Sequence, residues 1–380
     1  MRVIAYREDM LPALKLAKLV VLRSTKLSVL LRGYPGVLVM TVMGMHCRLT
    51  IRVPCLCEQE GSLQMPCRDL LQAVATLPSG QEIVLVSSGD GDVSLTCGSR
   101  TMEWLNCDAA DSGSIVISDP DPTVSQLAMP VSLIQQVARA IEPLSLQNGT
   151  RPVLTSVLVS VQDGKAAFVG ADGFRLGILR ADAGVDAALA AAMIPNTSWG
   201  LVARVFAGSK TPIWLGIGES AASFASITTT LVTPLIRGEY PDWLKLIPET
   251  WDCELQVNRL ALLAAVNFVA PVASQSSGIV RLVRADGSIA LSAAVADKMA
   301  VRCDVPAAVR GDLQVAFDYQ YLQHALKHLS GESVRIRCTR TTPACLSGDD
   351  SGPEYVIMPM DVLWDKKKVK KDGKLVDAAR

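Results

Sequence analysis

The chain repeats itself. At a period of roughly 120 to 130 residues, three segments follow one plan: an amphipathic helix, strands, a second helix and closing paired strands. A plan used three times restricts the fold to one small unit built in triplicate, each copy burying equivalent apolar faces. The first helices are predicted at residues 9–22, 131–144 and 257–269, and the second at 67–77, 198–207 and 318–329. In the middle first helix, Leu133, Ile134, Val137, Ile141 and Leu144 form an apolar stripe, while Gln135, Gln136, Arg139 and Glu142 face away. Each second helix runs toward a glycine suited to a stop, Gly80, Gly208 and Gly331, and a strand follows at 82–87, 212–216 and 333–339. The fold class is therefore α+β, with two helices and antiparallel sheets per copy.

Proline-rich and polar stretches at 118–123 and 248–252 separate the copies. The resulting domains are 1–121, 122–249 and 250–363. Residues 364–380 form a lysine-rich tail with too little apolar content to fold. That tail carries seven Lys and Arg against three Asp, so within a chain of zero net charge the body stands at minus four. A nucleic-acid binder with this balance must gather its basic residues on one surface. Such residues recur on the polar faces of the predicted helices: Lys15, Lys18, Arg68, Arg139, Arg204, Arg259 and Lys327, joined in loops by Arg23, Lys26, Arg151 and Lys210. Lining one concave surface, they would meet phosphates without reading bases; the alternative is an ordinary solvated helix face.

The chemistry of an enzyme is missing from the motifs. No phosphate loop, nucleophile elbow, HExxH or paired CxxC occurs, and three histidines leave acid–base work to carboxylates that no spacing singles out. The ten cysteines are scattered, which favours reduced thiols. His46, Cys47, Cys55 and Cys57 lack metal-ligand spacing, and His324 and His328, one helical turn apart, lack a third ligand. No metal and no cofactor is expected. Charge interrupts the N-terminal apolar run and no segment has the length of a spanning helix, so a cytoplasmic protein without membrane contact is expected.

One stretch near the C-terminus, Glu354-Tyr355-Val356-Ile357-Met358-Pro359-Met360, reads as a strand that Pro359 confines to an edge or an end. Its methionines suit a docking place, and a last core strand is the alternative. Beside it stand Ala171-Asp172-Gly173-Phe174-Arg175-Leu176, Leu235-Ile236-Arg237-Gly238-Glu239-Tyr240-Pro241-Asp242-Trp243, and Leu329-Ser330-Gly331-Glu332-Ser333-Val334-Arg335-Ile336. Together, in this order and in a threefold chain, they resemble the β sliding clamp family of bacterial DNA polymerase III over about residues 1–363.

The resemblance implies three similar domains per subunit and two subunits closed head to tail into a ring around duplex DNA. The ring would tether a polymerase without sequence preference. A clamp-like protein that binds the same partners without encircling DNA is the alternative. Partner peptides of polymerase and clamp loader would dock in a groove. Its matching residues here are Leu154, Ala171, Gly173, Phe174, Arg175, Leu176, Pro241, Lys245 and Leu246, with Tyr321, Val356, Ile357, Met358, Pro359 and Met360. Ring closure would set Met102 and Trp104 against Pro271 and Val272. Asp242 is expected to fix the turn before Trp243. Phe174 replaces a more polar residue, Ser277 an aromatic one, and the acidic run near the closure is reduced to Asp297. Asp361 stands where a basic residue is frequent.

Overall fold

A computed structural model describes residues 1–20, 28–88, 91–105, 107, 126–147, 149, 151–183, 189–296, 298–348, 352–362, 368–371 and 374–377. Arg23, Lys26, Asp297 and the 118–123 linker lie outside the described residues. The chain divides into two compact units, Met1–Asp172 with Ile178–Pro241, and Gly173–Gly177 with Asp242–Arg380.

The repeated plan is present, with one element the sequence reading missed. A strand precedes each first helix: Arg2–Tyr6, Gln126–Met129 and Cys253–Asn258. The helices are α1 (Arg7–Val20), α2 (Cys67–Thr76), α3 (Val131–Gln136), α4 (Asn196–Val205), α5 (Arg259–Ala273) and α6 (Tyr319–His328). Val257, predicted as helical, is the strand residue just before the Asn258 cap, whose side chain accepts the Ala261 N–H at 2.9 Å. Asp318 caps α6 likewise, accepting from the Gln320 N–H at 2.7 Å.

The predicted helix over 131–144 is broken. After α3 the backbone widens into a π turn at Val137–Ile141 and ends in a 3-10 turn at Glu142–Leu144. Pro143 supplies the cause, because it has no N–H to offer the Arg139 carbonyl and its ring would collide with that carbonyl in an α-helix. Gly170 adds a close approach: a Cβ there would stand 2.6 Å from the Ile141 carbonyl oxygen.

In the first unit, a five-stranded sheet runs in the order Leu56–Gln59, Arg2–Tyr6, Glu82–Ser87, Val93–Cys97, Arg100–Trp104. An eight-stranded sheet joins the first two repeats. Thr229–Pro234 of the second pairs antiparallel with Arg48–Pro54 of the first, setting Leu231 opposite Leu49. α2 packs on α1, α1 on α4, and α4 on α3, over a continuous apolar core that includes Leu14, Leu49, Trp199 and Phe224. Trp199 lies between Phe168 and Phe224 in edge-on contacts of 5.8 and 5.5 Å.

The second unit carries α5 and α6, packed together, with strands in the order Glu354–Ile357, Ala344–Ser347, Ser333–Cys338, Cys253–Asn258, Met299–Arg310, Ser288–Val295, Ile279–Ala285, Gln314–Asp318. The tail departs from expectation: Lys368–Lys371 pairs antiparallel with Lys374–Asp377. Among the described residues no helix is long and apolar enough to cross a membrane.

Candidate functional site

In the second unit, the strand Glu354–Ile357 is core on both faces. Tyr355, Val356 and Ile357 are 1, 5 and 1% exposed, so of the residues expected in the groove wall Val356 and Ile357 both face inward. α6 packs against the strand and the His324 ring meets Tyr355 edge-on at 5.8 Å. The chain surfaces at Met358, 40% exposed, and is pinned there by two backbone bonds. The Met358 N–H donates to the Phe174 carbonyl at 2.9 Å and the Met360 N–H to the Ala316 carbonyl at 2.8 Å. Pro359 and Met360 are half-buried.

The segment Gly173–Gly177 belongs to this unit, so Phe174 shares a surface with Met358. Gly173 supplies a left-handed turn at φ 96° that few side chains adopt. Phe174 then stands 64% exposed, while Leu176 is buried. The Arg175 guanidinium lies 4.4 Å over the half-buried Tyr321 ring, a contact that orients both side chains. A 3-10 turn at Trp243–Leu246 leaves Leu244 and Leu246 exposed. Leu244 is the groove candidate that sequence reasoning passed over, although its alternation with Leu246 along the turn was visible. Lys245 pairs with Asp242 at 2.9 Å, and this hydrogen bond holds the Asp242 carboxyl below its ordinary pKa. In the first unit, Leu154 and Ala171 are buried and Pro241 is exposed.

The helix-borne basic residues divide into two kinds. Lys15 and Lys18 on α1, Arg68 on α2, Arg139 on the π turn and Lys327 on α6 are exposed, as are Arg151 and Lys210 in loops. Arg204 is exposed, but its Nε donates to the Gly200 carbonyl at 3.1 Å. Arg259 is a correction to the expected phosphate-facing set. It is half-buried, with Nε donating to the Gly331 carbonyl at 2.8 Å and Nη1 to the Leu326 carbonyl at 2.9 Å, so it ties α5 to the end of α6.

Glu142 sits among this set. Burial pushes its carboxyl up to about 7, against the pull of the Gly200 N–H and the Arg204 charge. Its folded pKa thus exceeds the unfolded value of 4.5, and the folded protein holds the extra proton between those limits. Stability contributed here is present at low pH and is lost as pH rises from about 4.5 to about 7. Glu142→Gln is expected to flatten that slope and to raise the melting temperature at pH 8 relative to the parent. A pair of thermal unfolding series from pH 5 to 8 that run parallel would refute it.

The expected closure residues also divide. Met102 and Trp104 are half-buried on Arg100–Trp104, the outermost strand of its sheet, with Leu105 70% exposed beside them. In the second unit, Pro271 is exposed but Val272 is 7% exposed, a correction. α5 continues through Pro271 to Ala273, so Val272 falls on the same stripe as Leu262, Ala265 and Val269 and faces the core. Phe268 on the same helix is 59% exposed, and Met299 in this unit is 51% exposed. Met299 begins a strand whose first half pairs on one side only among the described residues.

No group of three potential metal ligands occurs among the described residues.

Comparison with known proteins places the chain in a family. Residues 126–242 match the model of the DNA polymerase III beta subunit, central domain, and residues 244–361 that of its C-terminal domain. A beta sliding clamp from Synechococcus elongatus is 26% identical over 318 residues, covering 80% of this chain and 83% of that protein. One from Chlamydia pneumoniae is 23% identical over 340 residues, covering 87% and 90%. Among solved structures, the DNA polymerase III subunit beta from Pseudomonas aeruginosa superposes with a TM-score of 0.86 at 21% identity, over 95% of this chain and all of that one. The DNA polymerase sliding clamp from Bacillus subtilis gives 0.85 at 20%, over 96% and 100%. These structures share the fold seen here, and with two consecutive domain models matched from residue 126 to residue 361, the chain belongs to the DNA polymerase III beta subunit family.

Proposed function

We propose that this protein is a processivity clamp: a homodimeric, non-enzymatic ring that encircles duplex DNA and tethers a polymerase through a peptide groove. Each subunit supplies domains 1–121, 122–249 and 250–363, and the ring works in the cytoplasm on DNA of any sequence. The observation that carries the reading is the pinned, exposed apolar end of an otherwise buried strand, Met358 bonded to Phe174, in a chain matched by both clamp domain models. A site that takes a short extended peptide needs a fixed apolar lip on a rigid base. The exposed Lys15, Lys18, Arg68, Arg139 and Lys327 would make shallow phosphate contacts that permit sliding.

Because a ring holds DNA by topology, the decisive measurement compares circles with cut circles. The clamp, loaded on nicked circular duplex, is expected to stay bound through gel filtration and to be lost when the circle is linearised. The inward Val272 removes one residue from the expected closure contact and favours a second reading, a clamp-like protein that engages partners without encircling DNA. A monomer at micromolar concentration with no retention on circles would overturn the ring and leave that second reading.

A further inference from the structure

We propose that Cys253 and Cys338 form a modification site, a thiol pair that hydrogen peroxide oxidises to a disulfide across two neighbouring strands of the second unit. Cys253 opens the strand Cys253–Asn258, Cys338 closes the strand Ser333–Cys338, and the antiparallel register sets the two directly opposite one another. Facing residues of such a pair stand about 4.5 to 5.5 Å apart at Cα, inside the roughly 4.4 to 6.8 Å that a disulfide spans. A thiol hydrogen bond already joins the two side chains.

The placement is particular to this pair. Other strand cysteines face different residues: Cys57 faces Val3, Cys97 faces Arg100, Cys303 faces Leu291, and Cys345 faces Arg337 and Val356. Cys253 and Cys338 are free thiols, 4 and 2% exposed.

Burial sets the rate. It pushes the Cys338 thiol up to about 12, which starves the pair of the thiolate that attacks an oxidant. The pair nevertheless sits at strand ends, where backbone opens most easily, and the exposed Asp252 and Asp312 act on Cys253 from the adjoining surface. Oxidation therefore proceeds through fraying of this end, and the pair answers sustained peroxide, not a brief pulse.

The electrons balance. One thiolate attacks a peroxide oxygen, breaks the O–O bond and becomes a sulfenic acid, while the released hydroxide takes the thiol's proton and leaves as water. The second thiolate displaces hydroxide from that sulfur, the S–S bond forms, and its proton completes a second water. Two thiols lose two electrons and one peroxide becomes two waters. The bond closes a loop of about 85 residues that contains α5 and α6, so it constrains the unfolded chain far more than the folded one.

The test treats the full chain with excess hydrogen peroxide for hours, blocks the remaining thiols with iodoacetamide and digests without reductant. Mass spectrometry is expected to find the peptides holding Cys253 and Cys338 joined, lighter than their sum by two hydrogens, and a reductant is expected to separate them. Thermal unfolding of the second unit is expected about 5 °C or more higher in the oxidised protein than in the reduced one, with no such shift in Cys253→Ala or Cys338→Ala. The linked peptide is read on the parent chain, so the proposal remains testable if either variant folds poorly. Recovery of both cysteines as blocked thiols would overturn it. So would accumulation of sulfinic acid on either one without a linked peptide, or linkage of either to a different cysteine.

Discussion

Trp199→Ala is expected to destabilise the first unit by about 3 to 5 kcal/mol, the range for deleting a large aromatic from a packed core. Trp199 is fully buried, and its removal strands the edges of Phe168 and Phe224, each within 6 Å of it. The indole Nε1 has no hydrogen-bond partner, so part of the ring's burial already works against a desolvated donor. Trp199→Phe discards that donor and keeps most of the aromatic packing, and it should cost less than half as much. Urea unfolding of both variants followed by circular dichroism separates the contributions. A loss below about 1 kcal/mol for the alanine variant would mean that this part of the core collapses around the gap.

The second large effect concerns the groove. Replacing Met358 and Met360 by Ala is expected to weaken a clamp-binding peptide by about 10- to 100-fold, or about 1.4 to 2.8 kcal/mol. Met358 is surface-exposed, and the bonds that hold this segment come from its backbone, so the substitutions leave the Phe174 and Ala316 carbonyls with their donors. Protein stability and dimerisation should therefore change little. Val356→Ala is the contrast: it is 5% exposed and its truncation should act on stability first. Peptide titration by fluorescence anisotropy, with size analysis of the same samples, reads both. Unchanged affinity in the double variant would place the binding surface elsewhere.

The periodic apolar positions made the repeated helices and the strands beside them legible, because a 3.6-residue stripe must bury itself wherever it occurs. What local pattern could not carry was continuation across a proline. At Pro143 the helix was read as unbroken and instead widens into a π turn, whereas at Pro271 it was read as ended and instead continues, drawing Val272 inward. Whether a helix breaks or continues there depends on what packs beside the proline, which is not local information. Arg259 failed for a similar reason: its exposure in the helical pattern was plain, but the carbonyls of Leu326 and Gly331 that claim it lie about 70 residues away in sequence. The resemblance set Phe174 and Met358 in one groove, but nothing in either stretch alone says that the two backbones meet.

The ladder between Thr229–Pro234 and Arg48–Pro54 has a consequence for how the chain comes apart. Leu49 and Leu231 sit opposite one another in a sheet shared by two repeats, above a core shared by both. Opening the first repeat would expose the second, so the two are expected to melt together. The piece expected to be lost or kept in one step is therefore larger than the piece that was repeated: three copies of one plan make two compact units.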